Sequence, residues 1–164
     1  MAGDSAELEC RPAGGADVGA LVDLRIDFMR IVKDLSPEGE AAWRSELFAR
    51  FAADLESGEL AAWVCLVGGA VVAASGLARP ASSEVRAELA LRPGEALILN
   101  MYTIPAYRRR GIGSRLLALA VEEARALGVA ALRLQSTDDG RPIYERAGFR
   151  DSGRDMALTL RPSA

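Results

Sequence analysis

A short arginine- and glycine-rich segment is the part of this sequence best suited to chemistry. Arg108, Arg109 and Arg110 are followed by Gly111 and Gly113, where an apolar pattern of helical spacing begins. Small residues let the backbone approach a ligand closely, and a helix N-terminus offers unpaired N–H groups and a partial positive charge. Three cations at this position oppose the helix dipole unless an anion is bound there. The segment therefore predicts a cradle for a phosphate or a pyrophosphate.

Two common phosphate-binding motifs do not fit this segment. The dinucleotide fingerprint needs a third glycine where Leu116 stands. The mononucleotide loop needs Gly-Lys-Ser/Thr, and Lys33 is the only lysine of the sequence. The pattern that does fit is Arg/Gln-x-x-Gly-x-Gly/Ala, with Arg108, Gly111 and Gly113 at its fixed positions.

Composition excludes several other chemistries. The sequence has no histidine, so Ser-His-Asp and Cys-His catalysis are excluded, and we expect no metal site. Cys10 and Cys65 stand far apart, and Cys65 lies in an apolar run. We interpret Cys65 as a core thiol, expect no disulfide framework, and predict a cytoplasmic location.

Charge is unevenly distributed along the chain, whose formal net charge is −3. Residues 1–60 contain 13 acidic and 6 basic residues, whereas residues 61–164 contain 10 acidic and 14 basic residues. The basic part suits a polyanionic cofactor, and the acidic part favours a cationic amine such as a polyamine, an aminoglycoside or a lysine side chain. Overall acidity argues against nucleic acid as a partner.

The uncharged run from residue 60 to residue 78 has nearly the length of a membrane span, but Gly68 and Gly69 divide it. Two β-prone runs around a Gly-Gly pair predict a hairpin with a tight turn. We therefore expect no membrane partner.

The remaining pattern predicts a single domain over residues 8–164 after an untethered tail, 1–7. It is an α+β (mixed α/β) domain: a central mixed, mainly antiparallel sheet of about six to seven strands flanked by helices. The strand 97–103 and the strand near 130–135 should be parallel, joined by a right-handed crossover. Predicted strands are 9–12, 61–67, 70–79, 97–103, 129–135 and 156–160. Predicted helices are 17–34, 111–127, 140–146 and one that Ser36 caps and Gly58 ends. Residues 80–94 are expected to be a long connection. In the first helix Val18, Leu21, Val22, Arg25, Phe28, Met29 and Val32 fall at helical spacing.

Three features of the sequence occur together in a known family. Pro105 precedes the Arg108-x-x-Gly111-x-Gly113 loop, an amphipathic helix follows the loop, and residues 140–149 end in Tyr-x-x-x-Gly-Phe. Over about residues 8–161 the chain resembles the GNAT superfamily of acetyl-CoA-dependent N-acetyltransferases. The resemblance implies a GNAT-like acyl-CoA N-acyltransferase fold and direct transfer of an acetyl group from acetyl-CoA to an amine, without a covalent enzyme intermediate.

The resemblance also implies roles for particular residues. The backbone of residues 101–103 would pair with the pantetheine arm of the coenzyme, and the amides of residues 109–114 would bind its pyrophosphate. Arg108 would either fix the loop or meet phosphate charge. The implied coenzyme-binding residues are Met101, Tyr102, Thr103, Arg108, Arg109, Arg110, Gly111, Ile112, Gly113, Ser114 and Thr137.

Tyr144 is the implied catalytic residue, a general acid for the departing thiolate; the alternative is a tyrosine that only packs against Phe149. Thr137 stands where many members have an asparagine that contacts the coenzyme, and Leu132 stands where some have a glutamate base. The base therefore stays unassigned: a carboxylate, Asn100 through water, or water alone, with Glu84, Glu88 and Glu95 as the carboxylates that precede the central strand.

Two classes of function follow from these observations. The first is an N-acetyltransferase that acts on a small-molecule or protein amine. Its donor would carry an acetyl or a longer acyl group, and the protein could act as a homodimer. The alternative is a catalytically silent module of the same fold that binds acyl-CoA and regulates. The acceptor amine is not specified by the sequence.

Overall fold

The computed structural model describes residues 6–152 and 155–160, so most of the predicted N-terminal tail (residues 1–5) lies outside the described residues. Short β-prone apolar runs give the strands, and apolar positions three and four apart give the helices. The strands are β1 (Leu8–Pro12), β2 (Leu60–Val67), β3 (Ala70–Ala78), β4 (Glu95–Thr103), β5 (Ala131–Leu134), β6 (Arg150–Ser152) and β7 (Asp155–Thr159). The helices are α1 (Val18–Val32), α2 (Pro37–Ser57), α3 (Ser83–Glu88), α4 (Ile112–Ala126) and α5 (Arg141–Arg146).

The described strands form one sheet in the order β1-β2-β3-β4-β5-β7-β6. All neighbours are antiparallel except β4 and β5, which are parallel and joined through α4. The mixed sheet and its parallel pair are thus confirmed. One core lies between the sheet and α4, α5; a second lies between the sheet and α1, α2.

The hairpin of β2 and β3 turns on Gly68 and Gly69, as the sequence predicts. Both have left-handed backbone conformations, with φ of 58° and 81°, which glycine adopts without a steric penalty. No helix in the described ranges is both long and apolar enough to cross a membrane.

Two elements were not predicted. Residues 80–94 do not form an uninterrupted connection, because Ser82 caps α3 by accepting hydrogen bonds from the N–H groups of Glu84 and Val85. The short strand β6 extends the sheet beyond β7. Its three residues, Arg150–Ser152, are all polar and exposed, so they carry no hydrophobic alternation.

The interpretation of Cys65 as an unpaired core thiol was wrong, because Cys65 forms a disulfide with Cys10. The edge strand β1 pairs antiparallel with β2, and their register places Cys10 directly opposite Cys65. The two Cα atoms are 4.1 Å apart. A separation of 55 residues hid this pairing, since only the strand register brings the two cysteines together.

Candidate active site

The central strand β4 contains a β-bulge at Asn100. Gly76 of β3 lies opposite Leu99 and Ala74 lies opposite Tyr102, so three steps along β4 match two along β3. Asn100 has a φ of 55°, a left-handed conformation that asparagine tolerates better than most residues. Because a bulge bends its strand, β4 changes direction at this point.

Beyond the bulge, β4 leaves its parallel neighbour. The ladder of β4 with β5 covers only residues 95–97 and 131–133, whereas β4 continues to Thr103 and stays paired with β3. The edge of β4 that faces β5 therefore presents backbone N–H and C=O groups over residues 98–103. Such an edge can pair with an extended ligand as an added strand would. Met101, Tyr102 and Thr103, predicted to bind the pantetheine arm, lie on this segment.

The loop after β4 leads into the N-terminus of α4. Arg109 and Gly111 both have left-handed conformations, with φ of 62° and 77°. Gly111 is the N-cap of α4, and no side chain caps the helix. The first hydrogen bond across this end is from the N–H of Arg115 to the carbonyl of Gly111, at 3.1 Å. The N–H groups of residues 112–114 therefore lack helical acceptors and form, with the loop, a candidate anion site.

Two of the three consecutive arginines are held by the protein itself. The Arg108 Nε donates to the carbonyl of Thr103 at 3.0 Å, and its guanidinium lies 5.5 Å from the centroid of the Tyr102 ring. Arg110 donates to the carbonyl of Ala106 at 3.3 Å and lies 5.0 Å from the Tyr107 ring. Arg108 thus ties the loop to β4, which is one of the two roles expected of it. Both cations stay exposed, so they also make the loop electropositive.

Tyr144 lies on α5 and belongs to the core cluster that Met101 also contacts. Its ring makes an edge contact with Phe149, with the centroids 6.0 Å apart. Burial raises the pKa of Tyr144 to about 12. A Cβ at Gly113 would lie 3.2 Å from the Ile143 side chain, so α5 adjoins the first turn of α4. Tyr144 thus follows the residue that meets the first turn of α4 and shares a core with Met101 of β4.

Thr137 has a local structural role. Its hydroxyl and its carbonyl accept from the N–H of Gly140 at 3.2 and 3.1 Å, and the carbonyl also accepts from Arg141 at 3.1 Å. These bonds shape the turn that begins α5. Thr137 is exposed. Its contact with the coenzyme stays a prediction.

The contacts of the carboxylates proposed as bases do not identify one of them as the base. Glu95 starts the strand, where it accepts from the N–H of Arg92 at 2.9 Å and lies 3.8 Å from Arg133. Six residues of extended strand, about 20 Å, separate Glu95 from Met101. Glu84 and Glu88 are exposed on α3, and the position where a base was sought on β5, Leu132, is fully buried.

The other face of β4 carries an aromatic cluster that sequence reasoning did not assign to the site. The Tyr102 ring lies 5.9 Å from the Phe28 ring of α1. The Arg25 guanidinium lies 5.7 Å from the Phe28 ring and 5.9 Å from the Trp43 ring of α2. The available signal was an arginine at a core-facing position of a helix, since Arg25 is three and four residues from the buried Val22 and Leu21.

Comparison with known proteins gives one family. The model described as the Acetyltransferase (GNAT) family matches residues 28–149, most of the chain. A GCN5-related N-acetyltransferase from Ralstonia eutropha is 26% identical, with a TM-score of 0.75 over 96% of this chain and 99% of that one. A predicted acetyltransferase from Clostridium acetobutylicum, crystallised with acetyl-CoA, is 25% identical, with a TM-score of 0.71 over 89% and 92% of the two chains.

One curated relative also shows local similarity. The glucosamine 6-phosphate N-acetyltransferase of Trypanosoma brucei brucei is 38% identical over 56 residues, which are 34% of this chain and 38% of that protein. The match thus spans well under half of the relative. The bulged and splayed β4, the uncapped N-terminus of α4 and the family match over residues 28–149 lead to the same assignment. This chain belongs to the acetyltransferase (GNAT) family.

Proposed function

We propose that this protein is an N-acetyltransferase that moves an acetyl group directly from acetyl-CoA to an amine of a small molecule or a protein. The observation that carries the proposal is the continuity between the open edge of β4 and the anion site at α4. The first could pair with an extended amide-containing arm, and the second could bind the pyrophosphate attached to it. A coenzyme A thioester has this combination of parts and supplies the activated acetyl group.

The chain's own residues divide the work. A backbone N–H near the Asn100 bulge would donate to the thioester carbonyl, and one such donor contributes about 3–4 kcal/mol to a transition state of this type. The Tyr144 hydroxyl would donate to the departing sulfur. Water held near Asn100 would accept the amine proton.

The comparisons support an amine acceptor of this reaction. The Trypanosoma relative is named for an amino-sugar phosphate, and the match is local. We further propose that acetyl is the donor group in preference to longer acyl chains. A cytoplasmic location and a homodimer stay predictions.

The first test is thermal unfolding with and without acetyl-CoA, on the wild type and on two matched variants. Gly111 and Gly128 flank α4, have φ of 77° and 71°, and would each place a Cβ in open space. Gly111→Glu and Gly128→Glu therefore introduce the same strain and the same charge. Only Gly111→Glu places a carboxylate in the anion site.

At 100 times its Kd, acetyl-CoA should stabilise the wild type by about 2.7 kcal/mol, or roughly 5–10 °C for a chain of this length. Gly128→Glu should keep the shift and Gly111→Glu should lose it. An equal shift in all three proteins would remove the α4 site from coenzyme binding. The absence of a shift in the wild type would contradict the proposed function.

A specific observation keeps the alternative of a silent acyl-CoA-binding module in view. Glu95 is bound to Arg92 and Arg133, and Glu84 and Glu88 are exposed on α3, so no contact assigns any of the three as the base. Mass spectrometry of an amine panel incubated with the protein and acetyl-CoA separates the two functions. A silent module would show the thermal shift and acetylate no member of the panel.

A further inference from the structure

Arg25 is a half-buried cation without an anionic partner. It lies on the face of α1 that contacts the second core, beside Val22 and Met29, and its guanidinium contacts the rings of Phe28 and Trp43. It forms no hydrogen bond or ion pair with any residue in the part of the chain that the structure covers. Its N–H donors are therefore available to a ligand, and burial lowers the pKa of the guanidinium because water no longer solvates the charge fully.

The carboxylates nearest to Arg25 in sequence are bound by other arginines. A network on the exposed side of α1 and α2 contains two arginines and three acids. Three acidic residues of the N-terminal part, including the two nearest to Arg25 in sequence, are thus paired with arginines on this surface. The network pairs Arg30 with Asp27 and Glu40, and Arg44 with Asp23 and Glu40.

The aromatic cluster connects Arg25 to the predicted reaction centre. Phe28, which Arg25 contacts, packs against Tyr102, and Tyr102 is two residues after the bulge of β4. The rings of Phe28 and Tyr102 therefore connect Arg25 to the strand that would hold the thioester. It lies on the α1–α2 face of the sheet, opposite the face covered by α4 and α5.

We infer, on the basis of the proposed function, that the acceptor is an amine bearing an oxyanion group, a carboxylate or a phosphate, and that Arg25 binds this group. A guanidinium matches both oxyanions because its planar donors can form two parallel hydrogen bonds. The expectation of a polycationic acceptor, drawn from the acidic composition, is thereby replaced. Arg25 acts as a specificity-determining residue, and it takes no part in the chemical step.

The test compares paired acceptors. The phosphate arm is glucosamine 6-phosphate against glucosamine, the carboxylate arm is L-methionine against L-methioninamide, and spermidine represents a polycation. Rates are measured with acetyl-CoA for the wild type, Arg25→Gln, Arg25→Lys and the control Arg44→Gln. Arg44 also joins α1 to α2, so its variant reports any effect of loosening these helices.

We expect the oxyanion-bearing member of at least one arm to be the better substrate, and that arm identifies the group. Arg25→Gln should raise the KM of this substrate about 10- to 100-fold, and Arg25→Lys should raise it less. The KM of the neutral member should not change, and Arg44→Gln should change neither. Preference for the neutral or polycationic amines, or an equal loss for both members of a pair, would overturn the inference.

A second readout keeps the test independent of turnover. If no member is acetylated, thermal unfolding of the coenzyme A-loaded protein is measured with each member at 10 mM, an order-of-magnitude choice for weak ligands. A shift by one oxyanion-bearing member that Arg25→Gln abolishes would support the inference. No such shift would overturn it while leaving coenzyme binding intact. Failure of acetyl-CoA itself to stabilise Arg25→Gln and wild type alike would instead overturn the proposed function.

Discussion

Tyr144 combines a core position with a polar group that no described residue binds. Its ring packs against Phe149, which fixes its direction, and burial raises the pKa of its hydroxyl to about 12. A phenol of this pKa is protonated throughout the physiological range. It is also a weaker acid than a thiol, whose ordinary pKa is about 8.5. In the free protein Tyr144 is thus better suited to donate a hydrogen bond to a departing thiolate than to transfer its proton completely.

Tyr144→Phe should lower kcat by about 10²- to 10³-fold, because it removes a hydrogen-bond donor to the developing charge and keeps the ring. The thermal shift produced by acetyl-CoA should stay as in the wild type. Tyr107→Phe is the control, since it removes a phenol hydroxyl from the neighbouring loop without touching α5. Steady-state kinetics with any amine that the protein acetylates measure this change in kcat. An unchanged kcat would leave Tyr144 with a packing role only.

The raised pKa of Tyr144 also predicts a stability change in alkali. The unfolded chain loses this proton near pH 10 and the folded protein only near pH 12, so the stability present below pH 10 is lost as the pH rises through that interval. The loss due to Tyr144 amounts to at most about 3 kcal/mol. Urea unfolding at pH 8, 10 and 11.5 should show a steeper decline for the wild type than for Tyr144→Phe. Identical declines would show that the hydroxyl ionises as readily in the folded protein as in the unfolded chain.

Elements with a strong pattern could be predicted from the sequence, and irregular ones could not. The apolar spacing of α4 predicts the bounds of that helix closely, and the Gly68-Gly69 pair does the same for the hairpin of β2 and β3. The bulge at Asn100 is a one-residue irregularity inside an apolar run, so periodicity does not reveal it. The open edge of β4 and the uncapped start of α4 lie where local sequence signals predict the coenzyme-binding segments, and their binding of coenzyme stays a prediction. The approach of Arg25 to β4 depends on how α1 packs on the sheet, which sequence spacing does not specify.

At the start of β4, before it leaves β5, three strands are joined by one arginine. Arg133 of β5 lies between Glu95 of β4 and Asp155 of β7, with side-chain exposures of 15%, 12% and 20%. It bonds Asp155 at 3.1 Å, and its Nε is buried without a partner in the described residues. This cluster links β4, β5 and β7 at the end of the sheet where β4 and β5 are still paired.

Arg133→Met should destabilise the protein by about 3 kcal/mol, because two poorly solvated carboxylates would lose their cation. Arg141→Met is the control: Arg141 also meets two acids, Glu145 and Asp151, but all three side chains are more than a third exposed. That variant should cost less than about 1 kcal/mol. Urea unfolding of both at neutral pH tests the difference, and equal losses would argue that burial does not govern the strength of these ion pairs.

At the scale of the whole molecule, the two proposed binding roles fall on different parts of the fold. The proposed acceptor-side residues lie on α1 and α2, and the coenzyme-side residues lie between β4 and α5. The disulfide between Cys10 and Cys65 encloses α1 and α2 in the chain, but its two cysteines pack in the core on the α4–α5 face of the sheet. It also bears on location, because disulfides persist mainly in oxidising compartments, whereas the sequence analysis predicted a reducing cytoplasm.

Reduction of the disulfide should destabilise the protein by up to about 4 kcal/mol, from the chain entropy of a loop of this size. This corresponds to a fall in Tm of roughly 10 °C. Thermal unfolding with and without a reductant measures the effect, and Cys10→Ser/Cys65→Ser serves as the control that should not respond to the reductant. Titration of two free thiols in protein purified without reductant would contradict the disulfide.

The same disulfide makes residues 10–65 a covalent ring that contains α1 and α2. A protease cut in the connection between these helices, at residues 33–36, would release no fragment until the disulfide is reduced. Tethering keeps the effective concentration of both helices at the sheet high even when their packing loosens. Both cysteines also pack in the core beneath α4 and α5, so reduction would loosen the tether of α1 and α2 and would also reach the packing on the coenzyme side.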